Sequence, residues 1–155
     1  MSSFFILFTG VVEEDSPLRS GDDFSPQSID QLGPDLADDL RRWEELYKAC
    51  DKLVMTGKDR DFGYEQTSSV ESDLSAMGRE LGSAIERKTG KLTYYYLTIA
   101  LDDPKAADGN RPCPSCGRQW RLPHRFFRLI DFKCDPCRLL STKPASLASL
   151  LQGIE

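Results

Sequence analysis

Apolar residues along the chain gather into a few patterned stretches separated by polar ones. Phe4, Phe5, Ile6, Leu7 and Phe8, followed by Val11 and Val12, form a run that is nearly continuous until Glu13, Glu14 and Asp15 end it. The run is too short to span a bilayer and has no basic leader, so residues 4–12 read as a buried strand rather than a signal peptide. Residues 13–33 are rich in Asp, Ser, Pro and Gly and show no apolar period. They are expected to form a mobile acidic loop, either simply solvated or an acidic contact surface.

The period then becomes helical. Leu36, Leu40, Trp43, Tyr47, Cys50 and Val54 recur at steps of four and three behind Gly33-Pro34-Asp35, and Gly57 ends the stripe. Proline suits a first helical position, and Asp35, Asp38 and Asp39 lie where the helix dipole favours anions. Trp43, Tyr47 and Cys50 are therefore core residues on this reading. Val70, Leu74, Met77, Leu81 and Ile85 repeat the spacing up to Gly90, with Ser68 and Glu71 as the expected capping box. Gly78 and Gly82, one turn apart, are expected to let the two helices approach closely.

Residues 91–101 alternate, with Tyr95, Leu97, Ile99 and Leu101 opposing Tyr94, Tyr96 and Thr98, and predict a second strand. The fold class that follows is α+β: an acidic β-α-α-β body over residues 1–102, a linker at 103–110, a cysteine-bearing segment at 111–143 and a tail or short helix at 144–155.

Charge sharpens that division. The 155 residues carry a net charge of -5, yet residues 1–110 hold 12 Lys/Arg against 22 Asp/Glu, while residues 111–143 hold 8 Lys/Arg against 2 Asp. A small basic module beside an acidic body fits an anionic partner, or docking of one half on the other. With no export signal read, a reducing cytoplasmic compartment is expected, so the five cysteines should be thiols or metal ligands.

Four of them have a ligand's spacing. Cys113-Pro-Ser-Cys116 and Cys134-Asp-Pro-Cys137 are two C-x2-C pairs separated by seventeen residues, as in a four-cysteine zinc ribbon. One structural Zn²⁺ is expected, contributing roughly 10–16 kcal/mol to the folding of a segment too short to bury a core alone. Gly117 follows the first pair where a positive φ is often wanted, but Arg138 follows the second, which predicts a less regular knuckle. Thioredoxin-like redox motifs fit poorly, since neither pair lies in a βαβ pattern. A zinc deaminase is excluded by the missing H-x-E: the single histidine, His124, precedes Arg125 and Phe126 and reads as a turn residue. Four thiolates leave no open metal position, and no nucleophile–base pair or phosphate loop is visible, so the reading is not an enzyme.

Between the pairs, strands near residues 118–122 and 128–133 are expected to join through residues 123–127. Trp120, Leu122, Ile130 and Phe132 fall on one face and Arg121, Asp131 and Lys133 on the other. The tip, Arg125-Phe126-Phe127-Arg128, suits stacking on bases, anchoring in a protein pocket, or folding back onto the acidic body.

Trp120-Arg121-Leu122-Pro123 and residues 132–141, together with Cys113-Pro114-Ser115-Cys116-Gly117, resemble an uncharacterised bacterial family described as zinc-ribbon-containing and linked to nucleic acid. The resemblance covers about residues 111–141. It implies a bacterial cytoplasmic protein with Cys113, Cys116, Cys134 and Cys137 as ligands and a nucleic-acid partner. The contact set would be Arg121, Arg125, Phe126, Phe127, Arg128, Lys133 and Arg138. The competing expectation is a protein-binding or inhibitory module, such as an immunity-type protein whose acidic region meets a basic toxin.

Overall fold

The computed structural model describes residues 3–9, 16–99 and 108–143. Six strands and three helices follow in the order β1 (Phe4–Leu7), β2 (Leu18–Ser20), a 3-10 turn (Ile29–Leu32), α1 (Pro34–Thr56), α2 (Arg60–Ser68), α3 (Asp73–Thr89), β3 (Leu92–Leu97), β4 (Arg121–Phe126), β5 (Ile130–Cys134) and β6 (Leu139–Ser141). The α+β class is as expected, with one more helix and one more strand than the β-α-α-β body. The stretches expected as a C-terminal helix (144–155) and most of the linker lie outside the described residues.

Helix α1 begins with Pro34 at its first turn and closes at Gly57, whose φ of 79° lets its N–H return to the Leu53 carbonyl. Ala37, Leu40, Trp43 and Tyr47 are its buried stripe, and Cys50 packs half-buried against the same core. Helix α2 escaped the periodicity because it is short and mostly polar. It docks on the end of α1 through Gly63, where a Cβ would lie 2.6 Å from the Cys50 carbonyl and 2.8 Å from Val54 Cγ2. The cap of α3 also differs from expectation. Ser68 ends α2, and Ser72 caps α3 by accepting the Ser75 N–H at 3.1 Å. Leu74, Leu81 and Ile85 are buried as predicted, but Met77 is exposed.

All six strands form one sheet in the order β2-β1-β3-β6-β5-β4. β1 pairs in parallel with β3, and β3 in parallel with β6; the remaining neighbours are antiparallel. Parallel neighbours need a long crossover, and here it is the helical layer between β1 and β3 and the β4–β5 hairpin between β3 and β6. Gly78 of α3 sets the helix-to-sheet distance: a Cβ there would lie 2.2 Å from Tyr95 Cε1 and 2.8 Å from Trp43 Nε1. The glycine thus brings α3 close to β3 as well as to α1.

Two hydrophobic clusters divide along the β3 alternation. Tyr95 and Leu97 join the helix-side cluster with Phe5, Leu7, Leu40, Trp43, Ile85 and Leu139. Tyr94 and Tyr96 join the opposite cluster with Ile6, Leu129, Ile130 and Leu140, edged by Phe4, Phe8, Phe24 and Phe127. The described part of the expected acidic loop is not a structureless segment. Leu18, Arg19 and Ser20 pair with β1, Ile29 and Leu32 are buried, and Arg19 bridges back to Pro26. Three residues are too few for strand periodicity to show, and the apolar anchors are spaced as in a turn. No helix among the described residues is long and apolar enough to cross a membrane.

The segment read as a separate ribbon contributes β4, β5 and β6 to this sheet, and Cys113, Trp120, Phe132 and Cys134 lie in the helix-side cluster. Residues 111–143 therefore share a core with residues 4–97 instead of standing beside them.

Candidate metal centre and basic edge

Each C-x2-C pair is a tight backbone turn. In the first, the Gly117 N–H donates to the Cys113 carbonyl at 2.8 Å and the Cys113 N–H to the Arg118 carbonyl at 2.9 Å. Gly117 has φ 78° and Arg138, its counterpart after the second pair, φ 54°. Both knuckles thus end in a left-handed residue, but the second does so without glycine and closes by the Arg138 N–H on the Asp135 carbonyl at 3.3 Å in place of a bond to Cys134, so it is the less regular of the two, as expected. What holds Arg138 is tertiary. Its carbonyl accepts the Tyr95 N–H at 2.8 Å, and its guanidinium donates to both Glu86 carboxylate oxygens at 2.8 and 3.2 Å and to the Asp135 carbonyl.

The four sulfurs of Cys113, Cys116, Cys134 and Cys137 lie within 4.8 Å of one another, with Cys116 and Cys134 Sγ 3.6 Å apart. A tetrahedron with metal–sulfur bonds of about 2.3 Å places its sulfurs about 3.8 Å apart, so the set fits one ion. Cys113 and Cys134 are buried, Cys137 half-buried and Cys116 exposed. Burial pushes the Cys134 thiol up to about 12, and that of Cys113 upward as well. The backbone N–H of Arg118 leads the groups that draw Cys116 down to about 7. Cys116 is the exposed sulfur of the four, and so marks the side from which a metal can enter.

Residues beyond the ligands fix the centre, and most gave no sequence signal. Arg79 on α3 donates to the Cys137 carbonyl at 3.2 Å, and Tyr94 Oη to Asp135 at 2.6 Å, which together with Lys133 holds that carboxyl below its ordinary range. Arg111 lies 4.4 Å from the Phe132 ring and donates to Ser141 Oγ and the Thr142 carbonyl, while its own carbonyl accepts from Trp120 Nε1 at 2.9 Å. Trp120 stacks on Phe132 at 5.1 Å, so both are core as expected. His124 is exposed in β4, in a strand and not a turn, and is not among the clustered ligands.

The hairpin is offset from its expected register. β4 runs on to Phe126, and the turn is formed by residues 127–129, closed by the Leu129 N–H to the Phe126 carbonyl at 3.1 Å. Asp131, placed on a solvent face by alternation, is buried: Arg125 Nε lies 3.2 Å from it, and Thr142 Oγ1 and the Lys143 N–H donate to it. Leu122 and Ile130 pack with the cluster opposite Trp120 and Phe132, because the register shifts between Arg121 and Phe126.

The expected contact residues separate into two groups. Arg121, Arg125, Phe126 and Arg128 lie exposed on β4, the outer strand of the sheet, and its turn. Lys133 sits over the Phe4 and Tyr94 rings and pairs with Asp135, Arg138 is committed to Glu86, and Phe127 packs on Phe24 at 5.4 Å. The tip therefore folds inward through Phe127 and remains outward at Phe126.

Residues 1–98 match the family described as Domain of unknown function (DUF2310), and residues 103–145 match Domain of unknown function (DUF8594). One sheet spans both, since β3 belongs to the first match and β6 to the second. Two proteins of Haemophilus influenzae (strain ATCC 51907 / DSM 11121 / KW20 / Rd), each carrying the name "Uncharacterized protein", are 39% identical over 140 residues, 88% of this chain. The chain spans 69% of one and 54% of the other. No solved structure matches it.

Proposed function

We propose that this chain, which belongs to the family described as Domain of unknown function (DUF2310), is a zinc-stapled binding protein that contacts nucleic acid through its basic outer strand. The observation that carries this reading is the composition of that edge. From residue 109 to residue 130 the sequence holds five arginines and a histidine and no carboxylate, and Arg118, Arg121, His124, Arg125 and Arg128 are exposed there. Pro123 removes a backbone N–H from the middle of β4, and the bulge disrupts its ladder, so the edge is poorly made for pairing with another strand and well made for side-chain contact. Phosphate groups are the ligands such a row of guanidinium groups suits.

Zinc is the metal that four thiolates with these spacings favour. Four sulfurs complete its coordination, so its role is to hold β5 and the first knuckle in place and not to activate water. Elemental analysis should find one zinc per chain. Titration of a fluorescent single-stranded oligonucleotide should show binding at low salt, with log affinity falling against log salt by a slope of about -2 to -3, as three or four phosphate contacts require. Absence of binding at low ionic strength, or binding to an acidic protein partner in its place, overturns the nucleic-acid reading.

A further inference from the structure

Phe126 is 44% exposed at the end of β4, whereas Trp120 and Phe132 are buried and Phe127 is half-buried. The turn beside it explains the difference. Phe127 and Arg128, the first two residues of the three-residue turn, both have positive φ, 52° and 62°, a conformation that disfavours residues with a Cβ. This backbone keeps Phe126 paired with Ile130 as the last residue of the strand while the Phe127 ring packs against Phe24. Two adjacent phenylalanines are thereby given opposite uses, one anchoring the tip and one presented to solvent between exposed arginines. Strained turns of this kind are tolerated when the surroundings fix them and something is gained by what they display.

We infer that Phe126 is a stacking platform for an unpaired base of single-stranded nucleic acid, with Arg128 and Arg125, whose side chain stays 41% exposed while its Nε pairs with Asp131, placed for the adjoining phosphates. The inference rests on the nucleic-acid reading above and adds the substrate class to it. A ring projecting from a sheet edge can meet the π-face of a base only where that base is out of a duplex stack. The lack of any carboxylate between residues 109 and 130 favours a ligand that combines aromatic faces with regular negative charge over a protein pocket, where mixed polar contacts are usual.

The test compares a short single-stranded oligonucleotide with a strand of equal length and charge whose bases are replaced by abasic sites, using the intact protein with its metal. The base-bearing strand should bind about tenfold more tightly, Phe126→Ala should abolish that difference without altering affinity for the abasic strand, and Phe126→Trp should preserve it. Zinc content and melting temperature of both variants should match the parent. Equal binding of the two strands by the parent protein overturns the stacking role while leaving phosphate contact intact. Failure of both strands to bind at low salt overturns the nucleic-acid reading itself, and the stacking role with it.

Discussion

The two knuckles are built from the same short motif and held in opposite ways. Around the first, residues 114–119 are exposed, and its ties to the sheet run through Arg111 and Trp120 stacked on Phe132. The second lies between β5 and β6, so both of its flanks are strand, and Arg79, Glu86, Tyr94 and the Tyr95 N–H all bond to it from α3 and β3. A four-cysteine motif is therefore not in itself a separate metal-folded unit. When one half is continuous with a sheet core, a metal held by the four sulfurs would join an exposed half to one fixed by the core, and the energy holding each half would come from different sources.

Phe132→Ala should have the largest effect, because this ring is fully buried beneath Trp120 and Arg111 and links both halves. A loss of about 3–5 kcal/mol in urea unfolding is expected. A loss below about 1 kcal/mol would show that the hairpin is not part of the cooperative core. Gly78→Ala follows, at about 1–3 kcal/mol, since the added methyl would meet Tyr95 and Trp43 and move α3 off the sheet.

Removing the metal separates the knuckles directly. With a chelator in excess, hydrogen exchange should accelerate over residues 112–119 while the amides of β5, β6 and Tyr95 stay protected and far-ultraviolet helical signal is retained. Uniform loss of protection across the chain would mean that the second knuckle depends on metal as much as the first. The smallest expected effect concerns Glu86, whose hydrogen bond with Arg138 leads the influences holding its carboxyl below the ordinary range. A depressed carboxyl stabilises the fold above its unfolded value of about 4.3, and that contribution fades as pH falls through the lower folded value. In metal-free protein the stability difference between the parent and Glu86→Gln should therefore shrink below about pH 4. The pair is partly exposed to solvent, so about 1 kcal/mol or less is at stake at neutral pH.

Elements whose signals are local were legible without coordinates. Pro34 and Gly57 bracket α1, the Leu74, Leu81 and Ile85 stripe marks α3, and the tyrosine alternation of β3 sorts its side chains onto two faces. Less was legible where a residue's role depends on a distant partner. Ser72, not Ser68, caps α3 because α2 occupies the preceding residues, and α2 is held by distant partners, packing on α1 through Gly63 and meeting the start of α3 through Gln66. Asp131 broke the in-out pattern because Arg125, Thr142 and Lys143 surround it with donors, which offsets the cost of burying a carboxylate.

The chain alone announced the clustering of four sulfurs, since two short turns with fixed spacing can bring them together largely by local backbone geometry, and it carries the basic character of residues 111–143. Only the tertiary structure decided that this segment enters the main sheet. Parallel pairing of β3 with β6 joins residues more than forty positions apart, and no local periodicity encodes which strand a given strand will adopt as neighbour. The same pairing assigned the cations their places, turning Arg138 and Lys133 toward Glu86, Asp135 and the tyrosine rings, sharing Arg125 with Asp131, and leaving Arg121 and Arg128 exposed at the open edge.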